Sequence, residues 1–278
     1  MLILNKINIK ENAVEEIILA LNAVKAKTPL VYHLTNTVTI NDCANVTLAI
    51  GGSPLMSFCI EEIEEIIGFS SSVVLNIGTM DLSMKNMAIE VGKIANRLKK
   101  PIVLDPVGVG ATKARKKLVD LLLKEVEFSV IKGNVAEIKS ILDIESLSRG
   151  VDSLEKTSKI EELVKYASKK FNTIIAITGE EDYIGNDEII FKVNNGHKFM
   201  SLITGTGCMI SSLIGAFLGG EASPLISALA GVVSMGISGE LAQKRFIGTG
   251  TMKVDIIDNI SNLNENIIRE NEKISSAI

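Results

Sequence analysis

Two hydrophobic periods alternate along the chain. Residues 11–27 (ENAVEEIILALNAVKAK) place apolar side chains three and four apart, the spacing of an amphipathic helix. PLVYHL is a short continuous apolar run and predicts a buried strand. NDCANVTLAIGG returns to helical spacing until two glycines stop it. SSVVLNIGT, PIVLDPVGVG, FSVIKGN and NTIIAITGE share one plan, a β-branched run ending in Gly, Asn or Thr. Charged helical stretches at 81–99, 112–125, 134–142 and 154–170 alternate with them. Strands apolar on both faces and separated by helices predict a parallel sheet covered on two sides.

The pattern changes after ITGEED. DYIGNDEIIFKVNNGHKFM carries an Asn-Asp turn between two β-prone runs and predicts a hairpin at the sheet edge. From Gly205 onward the spacing is helical, with one long Gly/Ser/Ala/Leu stretch, a second from Pro224, and a terminal helix around 253–263. The tail from 264 reads as a solvated helical end. No linker, charge block or repeat interrupts the pattern. The expectation is one domain over 1–278, an α/β protein built as a three-layer α/β/α sandwich with a mostly parallel central sheet.

Composition narrows the class. Hydrophobic residues make up 46% of the chain and the mean hydropathy is +0.31, which excludes disorder. With 29 basic and 33 acidic residues the net charge is −4, and aromatics are 4% with no Trp. That leaves neither a basic surface nor stacking platforms for nucleic acid. Phe199 to Gly220 and Ala222 to Gly239 carry no charge and raise the question of a membrane. Thr204-Gly205-Thr206-Gly207-Cys208 breaks the first stretch, because each glycine costs a helix interior roughly 1 kcal/mol. The two stretches therefore predict helices buried within the protein or between subunits, with no membrane partner. MLILNKINIK lacks a sustained apolar region and a cleavage site, so no signal peptide is expected. Three cysteines without metal spacing suit a reducing cytoplasm.

TGTGC opening an apolar helix is the most informative element. Its glycines let successive amides point at one spot, and the helix start adds its positive dipole end, which together suit an anion such as phosphate. The other reading is a tight strand-to-helix turn. Neither a P-loop nor a G-x-G-x-x-G fingerprint occurs. Cys208 at the end of this turn is placed to meet a substrate hydroxyl, or else is a small residue that packs. In KGNVAEI, Asn134 and Glu137 fit a capping box, and at the sheet's C-terminal edge they also fit magnesium with its waters. Asp105 in VLDPVGVG and Thr178 in AITGEE end further strands, where α/β enzymes keep catalytic groups. His33 and Asn36 stand where the first strand gives way to a loop and helix, as polar neighbours for a small uncharged ring or as loop hydrogen-bonders. Met56 in GGSPLMSF comes to a similar edge.

Together, HLTNTVTINDCAN, GGSPLM, LNIGTMD, VLDPVGVGAT, IKGNVAEI, AITGEEDYI, NNGH and TGTGCMISSLIGAFLG resemble the hydroxyethylthiazole kinases of the ribokinase-like superfamily. The resemblance runs in order from about 28 to about 255. Its most specific mark is Cys208, where related sugar and pyrimidine kinases place aspartate. It implies Mg²⁺-assisted transfer of the γ-phosphate of ATP to 4-methyl-5-(2-hydroxyethyl)thiazole, in thiamine salvage. By motif it implies an anion hole from Gly205, Thr206, Gly207 and Cys208, with Cys208 beside the hydroxyl. It implies ATP contacts at Lys132 and Thr178, a metal served by Asp105 and Glu137, and thiazole contacts at Met56 and Gly205. It implies Asn36, Val38 and Gly78 as further candidates for the same pocket. It also implies a homotrimer with the thiazole site between subunits. Lys132 departs from the arginine often found there and gives up its bidentate fork. Another ribokinase-like ATP enzyme (a hydroxymethylpyrimidine kinase or an ATP-dependent dehydratase) and a silent nucleotide-binding regulator remain as alternatives.

Overall fold

In the computed structural model, which describes residues 12–79, 81–144 and 160–277, the apolar runs assemble into one nine-stranded sheet. The strands are β1 (Leu30–Leu34), β2 (Ser53–Leu55), β3 (Ser72–Asn76), β4 (Ile102–Asp105), β5 (Val130–Asn134), β6 (Ile174–Thr178), β7 (Asp182–Gly185), β8 (Ile190–Val193) and β9 (Ile274–Ser276). Their order is β2-β1-β3-β4-β5-β6-β7-β8-β9. Pairings from β2 through β6 are parallel, and those from β6 to β9 are antiparallel.

Continuous hydrophobicity along the parallel strands follows from burial on both faces. Val31, Val74, Val103, Val130 and Ala176 face one apolar cluster. Their neighbours Tyr32, Leu75, Leu104, Ile131 and Ile175 face the other. The first cluster is covered by α1 (Ala13–Lys27), α2 (Ile40–Ile50), α8 (Thr206–Gly219), α9 (Pro224–Gln243), α10 (Thr249–Asn262) and α11 (Glu265–Asn271). The second is covered by α3 (Ile63–Phe69), α4 (Leu82–Arg97), α5 (Lys113–Glu125), α6 (Val135–Ile141) and α7 (Ile160–Phe171). This is the three-layer α/β/α arrangement. The first six residues of the stretch expected at 154–170 lie outside the described residues.

The uncharged C-terminal stretches become α8 and α9. Every residue of α8 from Cys208 to Gly219 is buried. Helix α9 is long and apolar enough to cross a membrane, yet 83% of that stretch is buried against the rest of the protein. Helix α8 is only 14 residues long, short of the ~20 that a span needs.

Two expectations are corrected. The hairpin β7–β8 does form around Asn186, whose Oδ1 accepts from the amides of Glu188 and Ile189 at 2.9 Å each. It does not end the sheet, because Ile274, Ser275 and Ser276 pair with Val193, Lys192 and Phe191. The tail is accordingly no solvated helical end. Ile268 of α11 is fully buried, Arg269 reaches Glu15 of α1, and the chain then turns into an edge strand. Its Ile274-Ser275-Ser276 run is too short to signal a strand without the partner that makes it one.

Candidate active site

Five parallel strands deliver their polar ends to one edge of the sheet, where open α/β sheets bind ligands. Asn36 lies just past β1, Asn76 ends β3, Asp105 ends β4, Asn134 ends β5 with Lys132 two residues before it, and Thr178 ends β6. Register puts Asn76 directly beside Asp105, and Asn134 beside Thr178. Over this row stands the start of α8. Gly205 is its N-cap, at φ +91°, a region L side chains avoid. A Cβ on Gly205 would also lie 2.5 Å from Thr39 Cγ2. No side chain caps this helix, and its first hydrogen bond runs from Met209 N–H to Gly205 O at 2.9 Å. The amides of Thr206, Gly207 and Cys208 have no partner within the helix. They are a fixed set of donors at the positive end of the helix dipole.

Cys208 is held from below by two carboxamides. Asn36 Nδ2 donates to its Sγ at 3.3 Å and Asn76 Nδ2 at 3.2 Å. Asn36 Nδ2 also donates to Asn76 Oδ1 at 3.0 Å. Asn36 Oδ1 accepts from the amides of Val38 and Thr39, both at 3.1 Å, which fixes the loop after β1. Gly78 packs against this asparagine so closely that a Cβ there would sit 2.9 Å from Asn36 Cβ.

Asp105 is fully buried and Lys132 is 3% exposed. Lys132 Nζ donates to Asp105 Oδ1 at 3.1 Å and to Gly207 O at 3.0 Å. Asp105 Oδ2 accepts from Asn76 Nδ2 and from Ser211 Oγ, at 2.8 Å each. Burial works against the Lys132 ammonium, but the Asp105 and Glu137 carboxylates, the Cys208 sulfur and the hydrogen bond to Asp105 together outweigh it and hold its pKa above the ordinary lysine value. Lys132 therefore spends two of its three donors inside the protein, tying strand β5 to the glycine turn. A single N–H is left over.

Glu137 forms the expected capping box with Asn134. Its Oε2 accepts from Asn134 N–H at 2.8 Å and its Oε1 from Gly108 N–H at 2.9 Å. Among the described residues no three His, Cys, Asp or Glu side chains cluster as a metal-binding group. Both carboxylates nevertheless line the cavity. Magnesium retains several waters and takes most of its protein contacts through one or two carboxylates. The pair fits a hydrated ion travelling with a polyphosphate and does not fit an all-protein cage.

Two cavities meet here. The smaller, of about 340 Å³, is lined by Asn36, Val38, Gly78, Asp105, Lys132, Glu137, Thr178, Gly205, Gly207 and Cys208, among others. The larger, of about 990 Å³, shares Asn134, Thr178 and Gly207 with it and runs on past His197, Met200 and Met235. Thr206 lines only the larger one. Nearly all the residues singled out from the sequence are thus brought together. Met56 lines neither cavity. His33 is fully buried, its Nδ1–H donating to Val31 O at 3.0 Å, and burial pushes its pKa down to about 4. It is a core group and does not face a ligand.

Sequence reasoning missed four participants. Asn76 looks like a strand-ending turn residue, and Ser211 like a small residue of an apolar helix. Arg115 donates to the carbonyls of Ile77 and Val107 at 2.9 Å each and of Gly78 at 2.6 Å, pinning two loops that border the site. The positions of those carbonyls could not be read from the chain. Asp182 lines the larger cavity, accepts from Gly179 N–H at 2.9 Å, and is pushed up to about 7 by burial.

The sequence profile of the "Hydroxyethylthiazole kinase family" matches residues 21–266. A hydroxyethylthiazole kinase of Clostridium tetani (strain Massachusetts / E88) is 45% identical over 260 residues, covering 91% of this chain and 95% of that protein. A solved structure of a hydroxyethylthiazole kinase protein from Pyrococcus horikoshii OT3 superposes with a TM-score of 0.88 at 38% identity, covering 95% of this chain and all of that one. A ribokinase-like superfamily protein from Enterococcus faecalis V583 superposes at 0.57 with 13% identity and shows the shared fold alone. The sandwich is thus ribokinase-like, the enzyme is a phosphotransferase, and the chain belongs to the hydroxyethylthiazole kinase family.

Proposed function

We propose that the chain transfers the γ-phosphate of ATP to the hydroxyl of 4-methyl-5-(2-hydroxyethyl)thiazole, with Mg²⁺, in thiamine salvage. The carrying observation is the junction of the two cavities at Gly207, with the free amides of Thr206, Gly207 and Cys208 beside it. The smaller cavity suits a single azole ring and the larger a nucleotide. Phosphoryl transfer asks chiefly for positioning and for stabilisation of charge on the moving group. The substrate oxygen bonds to phosphorus as the bond to the departing ADP breaks, and the amides of the turn stabilise the equatorial oxygens. Lys132 supplies one N–H and its charge, and Thr178 borders the phosphates from β6. Cys208 positions the hydroxyl first, as a thiol, and once ionised accepts its proton second.

Asp105 and Glu137 are the residues that would hold Mg²⁺, which when bound would neutralise the phosphate charge. Val38, Gly78, Gly205 and the face of Asn36 wall the ring. Val38 is 62% exposed, so this wall is open to a neighbouring subunit. Met56, outside its own chain's cavity, then reaches the thiazole of another subunit in a homotrimer. A cytoplasmic location is the reading that the use of ATP and the three free cysteines Cys43, Cys59 and Cys208 support. The test is ADP release dependent on the thiazole, with and without Mg²⁺. Turnover that requires both is expected. Release that ignores the thiazole overturns the reading.

A further inference from the structure

Asn76 saturates every hydrogen-bonding position it has. Its Oδ1 accepts from Gly78 N–H at 2.9 Å and from Asn36 Nδ2 at 3.0 Å. Its Nδ2 donates to Asp105 Oδ2 at 2.8 Å and to Cys208 Sγ at 3.2 Å. The Gly78 amide can only donate, so it fixes which end of the carboxamide carries the oxygen. The NH₂ group must therefore face the carboxylate and the sulfur. The residue is 1% exposed, so water does not replace any of these four bonds.

We propose that Asn76 is a positioning residue for phosphoryl transfer, one carboxamide that locks the Asp105 carboxylate and the Cys208 sulfur into a single unit. With the amides of Asn36 and Asn76 both directed at the sulfur from the protein side, its remaining valence faces the cavity, where the substrate hydroxyl lies. The same NH₂ group keeps Asp105 Oδ2 away from the cavity and leaves Oδ1, with Lys132, toward the phosphates. Ser211 supports the arrangement through its 2.8 Å bond to Asp105 Oδ2. Asn76 touches neither substrate. It acts through the two groups it holds, and the inference rests on the kinase reading above.

The test is a double-mutant cycle on the full chain, read as ADP release with thiazole and ATP. Asn76→Ala removes a hydrogen bond to a charged group and is expected to lower kcat by about 10- to 150-fold, with KM for both substrates nearly unchanged. In a Cys208→Ala background the same substitution is expected to cost a clearly smaller factor, because one of its two clients is gone. An equal factor in both backgrounds, or wild-type kcat in Asn76→Ala, overturns the proposal. A second measurement needs no turnover. The S–H stretching band of Cys208, taken as a Raman difference against Cys208→Ala, is expected to move in Asn76→Ala, and an unmoved band overturns the proposal. If the alanine variant fails to fold, Asn76→Leu keeps the size but can neither donate nor accept, and the same band shift is expected. Absence of thiazole-dependent ADP release in the wild type would instead strike the kinase reading, leaving the band to decide the role of Asn76.

Discussion

Gly205→Ala probes the turn on which the anion site depends, and its cost divides into two parts. The first is conformational. Gly205 sits at φ +91°, and placing an L side chain in the left-handed region costs roughly 1–2 kcal/mol. The second is steric. The added Cβ would lie 2.5 Å from Thr39 Cγ2 and 3.2 Å from Thr39 Cβ, and overpacking of this kind costs about 1–3 kcal/mol. The sum is about 2–5 kcal/mol out of the ~5–15 kcal/mol that a folded domain has. Thr39→Ser deletes the methyl that makes the worst overlap and keeps the hydroxyl that lies 3.8 Å from Cys43 Sγ. Alone it costs about 1 kcal/mol for the lost methyl. In combination with Gly205→Ala it relieves the steric part, so the two substitutions show a favourable coupling of about 1–3 kcal/mol. Urea denaturation of the four proteins measures it. ADP release should follow the same order, with Gly205→Ala losing about a hundredfold, since a displacement near 1 Å in a positioned site costs that much. A double variant no better than the sum of its parts would refute the packing account. A Gly205→Ala variant of wild-type stability would refute both parts.

Three further outcomes are expected. Cys208→Asp keeps or raises thiazole-dependent ADP release, because an aspartate serves the hydroxyl as well as a thiol does; complete loss would show that the sulfur itself is required. Asp105→Asn removes roughly 2–3 kcal/mol of charge-assisted bonding, lowering kcat about 30- to 150-fold while the KM for thiazole changes far less; equal effects on both would count against a metal and phosphate role. His33 and Asp182 give opposing pH slopes to stability. Folding depresses the His33 pKa to about 4 from 6.5, so the unfolded chain binds the extra proton and stability falls as pH drops from about 6.5 to 4. Folding raises Asp182 to about 7 from 3.8, so the native state holds the extra proton and stability falls as pH climbs from about 4 to 7. Each contributes about 3–4 kcal/mol at most. Denaturation at pH 4.5 and 6.5 should therefore show a steeper rise with pH in Asp182→Asn than in wild type, and a fall or a flatter rise in His33→Gln; parallel profiles in all three would refute the assignment.

The sheet and most of the site were legible because both are written in local patterns. Strands β3 to β6 announce themselves as β-branched runs ending in Asn, Asp or Thr. The capping box at Asn134 and Glu137 lies within four residues, and the TGTGC turn within five. What escaped depends on partners far along the chain. Asp105 meets Lys132 and Ser211 across 27 and 106 positions, and Asn76 meets Cys208 across 132. No spacing rule connects such residues. Strand β9 escaped for the same reason, since three residues become a strand only when β8 lies beside them. Met56 was placed by motif, and it lines neither of the two cavities that meet at Gly207.

The attachment of α1 to the last helices has a consequence for how the molecule is made. Ile17, Leu21 and Val24 are buried in the cluster built by α8 and α9, and Glu15 is bound by Arg269, 254 positions later. At ~5–20 residues per second a ribosome needs roughly 13 to 50 s to cover that distance. Until residues 206–243 follow, α1 has emerged with an apolar face and without the two helices that cover it, and β8, once made, waits with an open edge for β9. The nascent chain is thus most vulnerable to association and to proteolysis during its own synthesis, and α1 is among the last described parts to be secured.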